Sequence, residues 1–168
     1  MNDKKYKIAY VTDDLTMKQE FVVCAESLGC ECRTGTSTLW GPEVFDIYIL
    51  NWPEEFMDWA NSFDEQVAAM VLDRLNFLVS IACVVGVVHN IEPHKAKKNA
   101  NFLKFFESWY ARCDYIIHTN KVSRRRFQKH FDSKIFKEQL VLGPFSYYRN
   151  LYISPQPIRE WRGREHIL

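Results

Sequence analysis

The chain lacks the short glycine-rich motifs with which the common nucleotide-binding folds hold phosphate. Its six glycines form neither Gly-x-Gly-x-x-Gly after the first predicted strand nor Gly-x-x-x-x-Gly-Lys-Ser/Thr. A Gly-x-Ser-x-Gly nucleophile elbow is missing as well. These absences argue against the usual mode of dinucleotide binding, against a phosphate-loop NTPase and against a serine hydrolase of that type.

Paired cysteines and long apolar runs are also missing. The five cysteines contain no Cys-x-x-Cys pair and no secretory signal precedes the first predicted strand, so we expect reduced thiols in a cytoplasmic protein without zinc. The longest apolar stretch, residues 67–88, is interrupted by Asp73, Arg74 and Asn76. A membrane span needs about 20 mainly apolar residues, and a helix followed by a strand explains this stretch better.

Charge is nearly balanced over the whole chain but unevenly placed. The formal net charge of +1 gives no overall attraction to nucleic acid, which we do not expect as a partner. Residues 43–74 contain eight aspartates and glutamates against Arg74 alone, whereas residues 95–129 contain ten lysines and arginines. Two solvated helix faces explain this pattern, and a basic rim that approaches anionic lipid or a pyrophosphate group is the functional alternative.

What the chain does contain is a regular alternation of strand and helix patterns. Short apolar segments predict strands at residues 6–12, 30–34, 46–50, 84–88, 114–118 and 139–142. Helical spacing of apolar side chains predicts helices at residues 16–28, 64–82, 98–112 and 122–131. This alternation predicts an α/β fold, a Rossmann-like parallel sheet of about six strands with helices on both faces. We expect residues 1–148 to form this domain and residues 149–168 to form a C-terminal tail.

The end of the fourth predicted strand carries the densest group of reactive side chains. The β-branched run there ends at His89, Asn90, Glu92 and His94, and open α/β sheets bind ligands beyond the carboxyl ends of their strands. A neutral imidazole in that place can accept a proton from a hydroxyl. Equally, these side chains can satisfy buried backbone groups beside Pro93. Zinc would need a third ligand in a shared geometry, and we predict no metal site.

Three other strand ends carry candidate residues. Asp13 and Asp14 follow the first strand. They could act as a base, bind an ion or cap the next helix. Trp52 and Glu54 follow the third strand. A tryptophan there forms either one wall of a sugar or prenyl pocket or a plug on the core, and the plug is the better explanation for Trp52 alone. Residues 118–120 follow the fifth strand and would line the same crevice.

Four of these segments together resemble one known family. They are Asn51-Trp52-Pro53-Glu54, residues 89–94 (His-Asn-Ile-Glu-Pro-His), residues 113–120 (Cys-Asp-Tyr-Ile-Ile-His-Thr-Asn) and Leu142-Gly143-Pro144-Phe145. They are similar to motifs in the N-terminal, acceptor-side domain of bacterial GT-B glycosyltransferases of exopolysaccharide and capsule synthesis. The resemblance spans residues 6–148. Asn51 departs from it, because the family commonly has histidine there.

The resemblance implies an activity as well as a fold, namely one half of a GT-B enzyme. The reaction would transfer sugar from a nucleotide sugar to a lipid-linked or polysaccharide acceptor, with His89 as the catalytic base and Asp13 as the alternative base. The residues that would contact the acceptor are Trp52, Glu54, Asn90, His94 and Thr119. No cofactor is expected.

The resemblance also implies partners. Members of the family continue into a second domain that binds the donor, and residues 1–168 contain no such domain. The chain would then be either a truncated product or the partner of a separate donor-binding subunit, and we expect little or no transferase activity from it alone. The basic helix around Arg125 would face the anionic inner membrane. The protein would then be cytoplasmic and peripheral to that membrane.

Two alternatives belong to other classes. Asp13 and Asp14 after the first strand match the acidic pair with which signalling receiver domains hold magnesium, although the third strand ends in Asn51 where a receiver has its phosphorylatable aspartate. The other alternative is a non-catalytic interaction domain. In that case a partner would cover the aromatic tail, whose side chains are Tyr147, Tyr148, Tyr152 and Trp161.

Overall fold

The structure, a computed structural model, describes residues 5–59, 62–89, 91, 99–131 and 138–141. Within these ranges the strands are β1 (Lys7–Val11), β2 (Glu31–Thr34), β3 (Ile47–Leu50), β4 (Cys83–Val88), β5 (Tyr115–His118) and β6 (Glu138–Val141). The helices are α1 (Leu15–Ser27), α2 (Ser37–Trp40), α3 (Glu65–Leu78), α4 (Ala100–Arg112) and α5 (Lys121–His130), and a 3-10 helix spans Pro53–Met57. All strand pairs are parallel. The predicted α/β class and parallel sheet are confirmed, and the predicted tail at 149–168 lies outside the described residues.

The strand order differs from that of the dinucleotide-binding Rossmann fold. The order is β2-β1-β3-β4-β5-β6, so the first five strands follow 2-1-3-4-5, the second common order of doubly wound folds, rather than 3-2-1-4-5-6. The direction of winding changes between β1 and β3, which lie side by side with Val11 opposite Leu50. Doubly wound folds bind their ligands at such a switch point. The carboxyl ends of β1 and β3 are therefore the place to look for a site.

The core lies mainly on one face of the sheet. Alternate strand residues such as Val11, Leu50 and Val88 pack there against side chains from α2, α3, α4 and α5. α4 contributes the largest group, with Phe102, Phe105, Phe106, Trp109 and Tyr110 all buried. On the opposite face the ring of Tyr10 stacks on Phe21 of α1, with centroids 4.2 Å apart. The sheet thus has helices on both faces, as the alternation predicts.

Gly86 allows β4 to approach α4 closely. A Cβ atom at this position would lie 2.9 Å from Cys113 Sγ and 3.1 Å from a ring carbon of Tyr110, closer than carbon atoms pack. Burial raises the pKa of the Cys113 thiol far above its usual value, so this sulfur stays protonated and unreactive. The cysteine serves packing rather than chemistry.

The long helices begin where the sequence offers caps. The Asp64 carboxylate accepts hydrogen bonds from the backbone amides of Gln66 and Val67 at 2.9 and 3.0 Å at the start of α3, and Asn99 caps α4 in the same way. α3 ends at Leu78, four residues before the predicted end at residue 82, and Ile81 is exposed. The prediction failed there because the apolar spacing continues past the point where the helix stops. No helix in the described ranges is long and apolar enough to cross a membrane.

Candidate functional site at the carboxyl ends of β1, β3 and β4

The switch point brings three loops together. The backbone N–H of Asn51 donates a hydrogen bond to the backbone carbonyl oxygen of Val11 at 3.3 Å, so the loops after β1 and β3 leave the sheet side by side. β4 pairs with the other edge of β3, which places His89 next to Asn51. Trp52 and His89 therefore lie at the same end of the sheet.

Asn51, His89 and Trp52 form one packed group. Asn51 Oδ1 lies 2.9 Å from His89 Nε2, and because an amide oxygen only accepts, Nε2 carries the proton in this arrangement. The indole of Trp52 stacks on the imidazole, with centroids 4.2 Å apart and planes 20° apart. Asn51 is fully buried, and among the described residues its Nδ2 has no hydrogen-bond acceptor. The Nε2 of His89 is therefore engaged and does not serve as a free base.

The backbone that presents Trp52 is strained. Trp52, Asp58 and Trp59 have φ values of 37°, 51° and 53°, a left-handed conformation that side chains with a Cβ rarely adopt. Each such residue costs on the order of 1–3 kcal/mol and persists where surrounding contacts determine it. The Trp52 and Trp59 rings lie 5.7 Å apart. The 3-10 helix between them is held at both ends by this conformation.

Glu55, rather than Glu54, faces the loop after β1. Glu55 Oε1 accepts a hydrogen bond from the backbone amide of Asp13 at 2.7 Å, whereas Glu54 is 2% exposed and lies inside the fold. Burial is the main cause that raises the pKa of Glu55 above its usual 4.5; the Asp13 and Asp14 charges add to this, and hydrogen bonds from Asp13 and Thr12 oppose it. Sequence reasoning named Glu54 as a candidate, whereas Glu55 is the glutamate that contacts this loop. The signal for Glu55 was Pro53, which starts a helical turn and so rotates the next residues away from strand alternation.

Asp13 is tied to the loop after β2. Its carboxylate accepts hydrogen bonds from the backbone amide of Thr36 at 3.3 Å and from the Thr36 hydroxyl. Gly35, with φ of 114°, passes so close that a Cβ there would lie 3.2 Å from Asp13 Oδ1. Thr36 was not predicted to belong to the site. Among the described residues, no three acidic, cysteine or histidine side chains form a group that could hold a metal ion.

The remaining predicted residues are dispersed or undescribed. Thr119 follows β5 and accepts a 3.3 Å hydrogen bond from the Asn120 side chain, while Asn120 Oδ1 caps α5. His118, predicted to line the crevice, is fully buried against Phe127, so that prediction is wrong. Asn90 and His94 lie outside the described residues, and their roles stay predictions.

Comparisons with known proteins do not support the glycosyltransferase family. No protein-family model matches the chain, and no curated protein matches it. One similar solved structure is a BeF3-activated DrrB receiver domain, with 15% identity over 88% of this chain and 92% of that chain, at a TM-score of 0.39. Another is a CheY-like response regulator from Mesorhizobium loti, with 12% identity over 88% and 94% of the two chains, at a TM-score of 0.40.

The assignment to a GT-B acceptor domain is therefore wrong. The similar structures are receiver domains and not glycosyltransferase domains. The functions and partners inferred from that assignment are wrong as well. They are sugar transfer, a role in exopolysaccharide or capsule synthesis, a lipid-linked or saccharide acceptor, a donor-binding subunit and an anionic membrane partner. The resemblance misled because its motifs are short loop segments at strand ends, and many parallel α/β sheets place polar residues, proline and tryptophan there.

Proposed function

We propose that this chain is a receiver-like signalling module that accepts no phosphoryl group and acts by binding another protein. The observation that supports the proposal is the amide side chain of Asn51 at the end of β3. A receiver has its phosphorylatable aspartate at the end of the third strand, and here that position holds a buried amide bonded to His89. The acidic pair of a receiver, which follows the first strand, is present as Asp13 and Asp14.

The chemistry of phosphoryl transfer distinguishes a receiver that has an aspartate at the end of the third strand from this chain, which has Asn51 there. A carboxylate oxygen attacks phosphorus to form an acyl phosphate, and nearby cations stabilise the transferred group. The Asn51 amide has no negative charge, and its oxygen already accepts a hydrogen bond from His89. Trp52 covers the imidazole. The wild type therefore offers no carboxylate nucleophile at the end of β3.

The surrounding contacts favour a fixed conformation. Asp13 links the loops after β1 and β2 through Thr36, and Glu55 links the loop after β1 to the 3-10 helix. A switch needs two arrangements that differ little in free energy and a ligand that distinguishes them. These links hold one arrangement without a phosphoryl group. The module therefore presents one constant surface to its partner.

The test is phosphodonor labelling in the presence of magnesium. We expect radiolabelled acetyl phosphate to leave the wild type unlabelled and to label Asn51→Asp, because the substitution restores the missing carboxylate beside Asp13 and Asp14. Adding Asp13→Asn to that variant should remove the label. Label on the wild type would overturn the proposal, and absence of label from both the wild type and Asn51→Asp would overturn its receiver-like part.

A further inference from the structure

Charge is divided between the two halves of the chain, and the fold keeps this division in space. Among the residues that the structure describes, positions 5–91 contain five lysines and arginines against thirteen aspartates and glutamates, whereas positions 99–141 contain seven against three. In the sheet, β2, β1 and β3 of the first half lie on one side of β4, and β5 and β6 of the second half lie on the other. The molecule therefore has an acidic side and a basic side.

α5 is an array of exposed cations. They are Lys121, Arg124, Arg125, Arg126 and Lys129. Within the described part of the chain none of them forms an ion pair, and the first turn of the helix contains no acidic residue. Like charges four residues apart repel one another, and cations at a helix N-terminus oppose its dipole. The outward face, at residues 122, 125, 126 and 129, lies opposite the buried ring of Phe127 and fits an anionic surface.

α3 carries exposed apolar and acidic side chains, which complement the cations of α5. Met70, Asp73 and Phe77 share its outward face by their spacing, and Met70 and Phe77 are 61% and 48% exposed. Glu65 is exposed in the first turn. The one cation of the helix, Arg74, donates to the backbone carbonyl oxygens of Leu39 and Gly41 at 2.6 and 3.1 Å, and its guanidinium lies 4.9 Å from the centre of the Phe77 ring. Because Arg74 is bound in this way, the face still offers the apolar area of Met70 and Phe77 beside the negative charge of Asp73.

We propose that copies of this chain associate head to tail, with the outward face of α5 in one copy docked on the outward face of α3 in the next. Arg125, Arg126 and Lys129 would meet Glu65 and Asp73, and Val122 would pack with Met70 and Phe77. Two different surfaces are used, so the contact is heterologous and leaves a free face at each end. This inference goes beyond the receiver-like function and holds whether or not a phosphoryl group is accepted.

A second copy suits α5 better than nucleic acid or an anionic membrane. The acidic half of the chain repels any polyanion that approaches the basic half. A second copy has a net charge of only +1 and can turn its acidic side toward α5. Such contacts steer association and are weakened by salt.

The test is sedimentation velocity of the full chain and of two charge-reversed variants. One variant carries Arg125→Glu, Arg126→Glu and Lys129→Glu, and the other carries Glu65→Lys and Asp73→Lys. We expect the wild type to associate at about 0.1 M salt and to be monomeric at about 1 M, where the screening length falls from about 10 Å to about 3 Å. Each variant alone should lose at least about tenfold in association constant. Mixed in equal amounts they should associate again, because the unchanged α3 of the first variant meets the unchanged α5 of the second and the two reversed faces are also complementary in charge.

The matched controls are Glu26→Lys on α1 and Arg33→Glu on β2, exposed charge reversals away from α3 and α5. Both should associate like the wild type. A wild type that stays monomeric at about 0.1 M salt, or variants that fail to pair on mixing, would overturn the proposal. So would a monomeric wild type that binds a single-stranded oligonucleotide or phosphatidylserine vesicles through α5.

Discussion

The loops after β3 and β5 follow parallel strands of the same sheet, yet different contacts hold them. After β5, Asn120 is extended and caps α5 by accepting from the Ser123 amide at 2.8 Å. The Ser123 hydroxyl donates to the Val88 carbonyl. After β3, Trp52 and Asp58 are left-handed. The first loop obeys local rules of helix capping, and the second breaks the local preferences of its residues.

The difference shows where long-range contacts override local preference. Both loops have long-range contacts: Ser123 and Val88 are 35 residues apart, Asn51 and His89 are 38 apart, and Asp13 and Glu55 are 42 apart. The loop after β5 also has a cap between residues three apart, Asn120 and Ser123, and an ordinary extended backbone, whereas the loop after β3 is left-handed at Trp52 and Asp58. Strained backbone persists only where the surrounding structure determines it. The loop after β3 lies at the switch point of the sheet, and strain there is typical of a functional position.

The largest expected change in stability comes from removing the hydrogen bond between Asn51 and His89. His89→Ala removes the donor to the buried Asn51 oxygen, so we expect the free energy of unfolding to fall by about 1–3 kcal/mol. Thr119→Ala is the matched change after β5, where the hydroxyl accepts a hydrogen bond from the side chain of Asn120, and should stay within about 0.5 kcal/mol of wild type. Urea denaturation followed by circular dichroism measures both. Equal effects would show that the two loops are held alike.

The next effect distinguishes strained from ordinary backbone. Asp58 is exposed with φ of 51°, so Asp58→Gly should raise the free energy of unfolding by about 0.5–1 kcal/mol, since glycine adopts this conformation freely. Asn120 is extended, so Asn120→Gly should lower it by a few tenths of a kcal/mol, about the cost of a lost cap. Thermal melting at matched concentration would show the opposite signs. Changes of the same sign would contradict the comparison.

The smallest effect depends on pH. Burial raises the pKa of Glu55, so the folded state holds this proton more tightly than the unfolded chain. The group's contribution to stability is therefore fully present below its unfolded pKa of 4.5 and is lost as the pH rises through the folded value.

Glu55→Gln should remove the loss of stability that accompanies ionisation of Glu55 as the pH rises. The stability of the variant relative to wild type should increase from about pH 4 to about pH 7, by less than about 1 kcal/mol because solvent screens this half-exposed group. Urea titrations across the pH range measure the difference, with Glu26→Gln as the control for a charge removed from a solvated helix face. A relative stability that decreases with pH would contradict the shift assigned to Glu55.

Local sequence patterns predicted most of the elements and few of the site contacts. The starts of α3, α4 and α5 fall close to those expected because Asp64, Asn99 and Asn120 cap them. α2 and the 3-10 helix were not predicted, since one turn leaves too few residues for a periodic pattern. Thr36 was missed for the same reason. It follows β2 in a stretch that the sequence indicates only as a loop.

The sequence by itself determined the alternation of strands and helices, the helix starts and the separation of acidic from basic residues, because each depends on neighbours a few positions away. Only the tertiary structure decided the strand order, the choice of Glu55 over Glu54 and the pairing of Asn51 with His89. Apolar strands of similar length do not specify their neighbours, and contacts across about forty residues form only when packing of the whole sheet brings those loops together.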